Sequence, residues 1–323
     1  RPTTPAPMTT QSSCSSMRSP IRVLIHVESA AALQQSREVY LKSAAHRTLG
    51  GMDAWDPLFM DRSPMLATLR TAAAGLCGAD WPSVAALQGA VDRATVRTGS
   101  GLALRLAPPA RSGPDAGTYE RRVFERGELE VRERNWHDLF NVLAWLTFPR
   151  AKAALNARHC AVAGNDRHGR RGPVRDALTL FDESGVIVVS ADAALLQMIR
   201  DFQWRQLFWT HRAAVVRDLR CLLFGHALCE KALAPYRGIT GRGLLFAIDR
   251  DFLELSLPEQ LTQIDSRLAA QITDPQALLR TEQLAPLPVL GVPGWCADNE
   301  DAAYYDDRTY FRPGRRVTPT ERA

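Results

Sequence analysis

Six side chains able to bind a metal or move a proton, His137, Asp138, His159, Asp176, Asp182 and Glu183, fall in one stretch of the chain, and His226 and Glu230 follow it four residues apart. A neutral histidine can take a proton from water, and carboxylates beside it can orient that water or hold a divalent cation. On this reading His137, Asp138, Asp182 and Glu183 are the candidate catalytic residues, with His137 as general base. His226 and Glu230, on one face of a helix, are the candidate metal ligands for an unspecified divalent metal. The opposing reading is a non-catalytic binding or structural protein without metal, in which Asp138 caps a helix and both histidines are satisfied boundary residues. The chain contains no GxSxG, P-loop, GxGxxG or HExxH motif, so the common hydrolase, nucleotide-binding and zinc-protease signatures do not apply.

The elements that must position these groups are predicted from periodicity and turn chemistry. Alternating polarity over residues 119–125 and 129–134, around Arg126-Gly127-Glu128, predicts a β-hairpin. Asn135 is a helix N-cap, with Asp138 placed to complete a capping-box-like pair. The helix that follows buries Trp136, Leu139, Phe140, Leu143 and Leu146, with Trp145 on nearly the opposite side, and ends at Pro149. Thr147 caps a second helix running to about residue 161. Residues 164–172, rich in Gly and Arg, form a loop able to meet an anion or simply to be solvated. Asp182-Glu183-Ser184-Gly185 is a turn leading into a buried strand at residues 186–189. Residues 193–216 form a long helical region, a further helical stretch follows over residues 220–234, and its FGHALCEKAL segment presents His226 and Glu230. Hairpin, helix and histidines have a loose similarity to ββα-metal nucleases, from which the chain departs because His137 lies inside the helix.

Elsewhere, Ser63-Pro64 opens a helix to about residue 76, and Ser83 opens another with Val84, Leu87 and Val91 in register. A strand is expected at 102–106, a loop at 108–117, a strand at 244–248 and an amphipathic helix at 257–272. An irregular arm at 286–313 is anchored by Trp295, Tyr304, Tyr305 and Phe311. The expected fold class is α+β, mainly helical, with a small antiparallel sheet built on the central hairpin. Residues 1–51, whose first 20 are rich in Pro, Ser and Thr, are expected to be a largely disordered extension or an over-long start. Residues 52–313 are expected to form a single globular domain and 314–323 a flexible tail.

With 323 residues, 46% of them hydrophobic, the chain can bury a substantial core. The net charge of +5 is carried almost entirely by arginine: only Lys42, Lys152 and Lys231 are lysines among 40 basic residues. No concentrated basic patch accompanies that charge, so nucleic-acid binding is only weakly supported. Six scattered cysteines without a CxxC pair suggest buried thiols rather than a zinc ribbon. No apolar run spans a bilayer and no signal peptide opens the chain, so a cytoplasmic protein without a membrane partner is expected.

The segments WHDLFN, WLTFPR, DALTLFDESG, FGHAL, LPVLGVPGW and FRP, in that order, resemble a family of bacterial proteins classed as a domain of unknown function, number three thousand and twenty-five. The resemblance covers residues 55–313. It implies the extent of a domain and nothing about activity, cofactor or partner.

Overall fold

In a computed structural model of the chain, residues 54–109, 119–163 and 172–314 are described. The expectations for residues 1–53 and 315–323, most of the 108–117 loop and nearly all of the Gly/Arg-rich segment fall outside them.

Strand β3, Gly185–Ser190, organises the fold. Each of its six residues is buried, as the unbroken GVIVVS run requires of a strand covered on both faces. Val186 and Val188 pack into one apolar cluster and Ile187 and Val189 into another, so the two sides of this strand face two cores. The sheet runs β4-β3-β5-β6, with β4 at Leu219–Leu223, β5 at Thr240–Ala247 and β6 at Ala285–Pro288. β3 pairs antiparallel with β4 and parallel with β5, and β5 pairs antiparallel with β6. The sheet is therefore mixed, where an antiparallel one was expected.

The hairpin is not formed. Tyr119–Arg126 is a helix, with Val123 and Arg122 buried and an Arg121–Glu125 pair at 2.8 Å on its outer face. Gly127, expected at the hairpin's tip, instead ends this helix in the left-handed region (φ 72°), donating from its N–H to the Val123 carbonyl at 3.0 Å. A side chain there would also meet the Ala103 carbonyl at 2.5 Å. Strand β2, Glu128–Glu130, follows and pairs in parallel with β1, Arg105–Ala107, which overlaps the strand expected at 102–106. Charge spacing and a polar alternation coincided here, and the i,i+4 pairing with a left-handed glycine prevailed.

We number the longer helices α1 Val84–Arg93, α2 Tyr119–Arg126, α3 Trp136–Thr147, α4 Pro149–Ala163, α5 Pro173–Ser184, α6 Ala193–Arg200, α7 Arg212–Asp218, α8 His226–Lys231 and α9 Leu257–Thr273. Ser83 caps α1 through the Ala86 N–H at 3.2 Å. The stretch opened by Ser63-Pro64 is a 3-10 helix, Pro64–Leu69, followed by one short α turn, Arg70–Ala73. The long helical region expected at 193–216 is broken into α6, a π turn at Gln206–Thr210 and α7. The start of the next expected helical stretch is strand β4, whose Leu222 and Leu223 enter the two different cores. Trp136 and Trp145 are both buried, so α3 is covered on opposite sides and lies inside the protein. The C-terminal arm crosses the body through 3-10 turns and buries Tyr304, Tyr305 and Phe311.

Candidate metal centre

Three helix ends carry the site. Asn135 accepts from the Asp138 N–H at 3.0 Å and so starts α3, placing His137 in its first turn. The carboxylate of Asp138 does not return to the cap. It accepts instead from the Arg132 backbone N–H and from two guanidinium nitrogens, each at 2.8 Å. This clamp holds the turn before the helix, where Arg134 lies in the left-handed region at φ 55°. Burial alone would raise the Asp138 carboxyl, but the Arg132 bonds outweigh it and hold the group below its usual range.

Asp182 and Glu183 were expected in a turn but occupy the last turn of α5, which Pro173 opens at its first position. The chain passes directly from this helix into β3. Gly225 then brings α8 against that junction: its N–H donates to the Gly185 carbonyl at 2.9 Å. A Cβ on Gly225 would lie 2.4 Å from the Gly185 nitrogen and 2.5 Å from that of Ser184, so only glycine allows the approach. The approach sets His226, the first residue of α8, beside Glu183.

His137 Nε2 and His226 Nε2 stand 3.1 Å apart, with the rings edge to face. Glu183 Oε2 is 3.7 Å from His226 Nε2, and one donor atom from each of His137, Glu183 and His226 lies within 4.8 Å of the others. Two nitrogens on one tetrahedral zinc, each about 2.0–2.1 Å from the ion, are separated by about 3.4 Å. The pair thus has close to the spacing of ligands that share an ion.

The second nitrogens support the same set. His137 Nδ1 bonds Glu230 Oε2 at 3.1 Å, which leaves its Nε2 with a free lone pair when Nδ1 carries the proton. His226 Nδ1 is buried without a hydrogen-bond partner and sits 3.9 Å from Asp182 Oδ1. Burial pushes His226 down to about 4, so its ring is neutral near pH 7 and one nitrogen can ligate. Burial, reinforced by the charge of Asp182, raises the Glu183 carboxyl.

His137, Asp182, Glu183 and His226 line a cavity of about 370 Å³ together with Tyr119, Asn141, Lys152, Asn156 and His159. Lys152, 2% exposed, donates to Asn141 Oδ1 at 3.0 Å and to Asp182 Oδ1. Asn141 in turn donates to the Tyr119 hydroxyl at 2.7 Å. The Lys152 charge and hydrogen bond overcome the upward push of burial on Asp182 and hold its carboxyl low.

The structure therefore gathers His137, Asp182, Glu183 and His226 at one end of one cavity. Asp138 lines the same cavity with its carboxylate engaged by Arg132, and Glu230 contacts His137 rather than sharing a centre with His226. His159 lies on the cavity wall, buried and held neutral by that burial, whereas Asp176 is exposed in the first turn of α5. Lys152 is the residue that sequence reasoning passed over. Its signal was its rarity, a lysine in a chain where nearly every other basic residue is arginine.

An α+β protein with a mixed four-stranded sheet and a His/Glu/His cluster able to hold a metal is thus defined. A family model described as "Protein of unknown function (DUF3025)" matches residues 107–315, and the chain belongs to that family. The match begins at β1, some 50 residues after the start that the resemblance suggested. No curated protein and no solved structure matches the chain. Among the described residues no helix is long and apolar enough to cross a membrane.

Proposed function

We propose that the protein is a metal-dependent hydrolase whose divalent ion is held by His137 Nε2, His226 Nε2 and the Glu183 carboxylate. The observation that carries this is the 3.1 Å approach of the two Nε2 atoms beside Glu183, with Glu230 engaging the outer nitrogen of His137. Two histidines and one carboxylate leave a coordination position for water, and an ion so bound lowers the pKa of that water towards about 7. His137 serves better as a ligand than as the general base, because its outward nitrogen is occupied and its inward one faces His226. The adjoining cavity, with its amide, hydroxyl and ammonium groups, has room for a small substrate.

The non-catalytic reading draws on the same distance, since 3.1 Å is also a hydrogen bond from His226 Nε2–H to His137 Nε2. Metal analysis of the purified protein separates the two. Stoichiometric Zn, Mn or Fe, lost in His137→Ala and His226→Ala, supports the hydrolase, and a chelator should then abolish cleavage of a panel of simple ester, amide and phosphoester substrates. A folded wild-type protein that contains none of these ions and takes none up would sink the proposal.

A further inference from the structure

His226 presents its Nε2 to the proposed centre, but a neutral imidazole ligates through Nε2 only if its proton moves to Nδ1. That nitrogen makes no hydrogen bond in the structure; the Asp182 carboxylate stands with Oδ1 3.9 Å from it, and the Asp182 backbone also acts on the ring. His137 shows what a completed arrangement looks like in this fold, with its Nδ1 on Glu230 at 3.1 Å. His226 thus has a carboxylate in the right place, one step short of contact.

Lys152 determines where that carboxylate is. Its ammonium, fully enclosed between α4, α3 and α5, donates to the same Asp182 oxygen that faces His226, and its second bond to Asn141 ties it to α3. The aromatic faces of Trp145 and Phe224 lie 5.7 and 6.0 Å from the ammonium and restrict its movement. A side chain with this enclosure and these partners is a compact cation in a socket. Arginine, the default cation of this chain, would present a planar fork of donors in place of this single compact charge.

We propose that Lys152 is a positioning residue for the metal centre: it holds the Asp182 carboxylate to receive the Nδ1–H of His226, so that His226 Nε2 is delivered to the ion. This rests on the metal-site reading above and extends it from the ligands to the buried string Asn141–Lys152–Asp182–His226. Partners of this kind behind ligating histidines change metal affinity by about 10–100-fold when removed.

The test is a titration of the metal-stripped full chain with Co²⁺ alone, followed by its visible absorption, for wild type, Lys152→Met, Asp182→Asn and the double variant. Thermal midpoints are recorded on the same samples, and Asn141→Ala serves as a milder variant should Lys152→Met fail to fold. The expectation is Co²⁺ binding 10–100-fold weaker in each single variant, with altered absorption bands. The double variant should be little weaker than either single one, because both substitutions break the same string. A purely structural Lys152 would lower the midpoint and leave the affinity and bands of the folded fraction unchanged, and that result overturns the proposal. If wild type binds Co²⁺ and folded Lys152→Met or Asn141→Ala binds it within twofold as tightly, the positioning role alone is wrong. If wild type itself binds no Co²⁺, the metal centre and this role fall together.

Discussion

Asp265, on helix α9, accepts hydrogen bonds from the backbone N–H groups of Arg150 and Ala151 at 3.1 and 2.8 Å, and so caps the start of α4 from 114 residues away. Thr147, the cap expected from sequence, instead turns its hydroxyl back to the Leu143 carbonyl at 2.8 Å. α4 carries Lys152, Asn156 and His159, so the alignment of one wall of the cavity depends on a side chain in another helix. Burial raises the Asp265 carboxyl despite these bonds. Asp265→Ala is therefore expected to cost about 1–2 kcal/mol in urea unfolding, as lost caps do. Asp265→Asn keeps one of the two acceptors and faces the other backbone N–H with a donor, so it should cost less than Asp265→Ala only if a single bond carries the cap. Equal losses in the two variants would show that α4 needs both carboxylate oxygens.

The Arg132 clamp on Asp138 makes a pH prediction. The folded carboxyl is held below its unfolded value of about 3.9, so its stabilisation is fully present above that pH and is lost as pH falls through the folded value. Asp138→Asn should be less stable than wild type by about 2 kcal/mol at pH 7, with the gap closing below about pH 4. Urea midpoints measured from pH 7 down to 3 would decide it; a gap independent of pH would mean that shape rather than charge holds the turn at Arg134.

Trp136 stacks with Trp55 at a centroid distance of 5.2 Å and lies 4.6 Å from Trp81, while Trp145 is buried on the other side of α3. Both truncations to Ala are expected to cost about 3–5 kcal/mol. A loss below about 1 kcal/mol for either would show that its side of α3 is open in solution.

Gly225→Ala tests the closest approach in the site. Its new methyl would strike main-chain atoms of residues 183–185, which cannot rotate away as a side chain could. The expected result is a protein that is less stable and holds metal more weakly than a control substitution at an exposed position such as Ala234→Ser. Wild-type metal affinity in Gly225→Ala would dissociate the junction from the centre.

Which parts of this could be read from the chain follows from how local their causes are. Asn135, Ser63 and Ser83 cap within three residues, and the GVIVVS run is buried whatever its neighbours, so these features are legible in one dimension. The i,i+4 spacing of His226 and Glu230 correctly placed both on one short helix. It could not show that Glu230 would turn to His137, 93 residues away. The hairpin failed because YERRVFER satisfies a strand's alternation and a helix's charge spacing together, and because residues 128–130 pair with β1, earlier in the chain, instead of folding back on 119–125. The mixed sheet was illegible for the same reason: β3 lies between β4 and β5, and nothing in GVIVVS states the direction of its neighbours.

Gly225 and Gly185 meet where α5, β3 and α8 converge, and residues 183 and 226 come together there while residue 137 arrives from a separate helix. The three proposed ligands are thus supplied by chain segments that have no proximity until the sheet is assembled. In a zinc finger, ligands a few positions apart let the ion nucleate the structure. Here loop-closure entropy makes the unfolded chain a poor chelator, and the scaffold must form before an ion can be captured. Loading is then a late event, and the ion should raise the folded state's melting temperature by mass action rather than be required for folding.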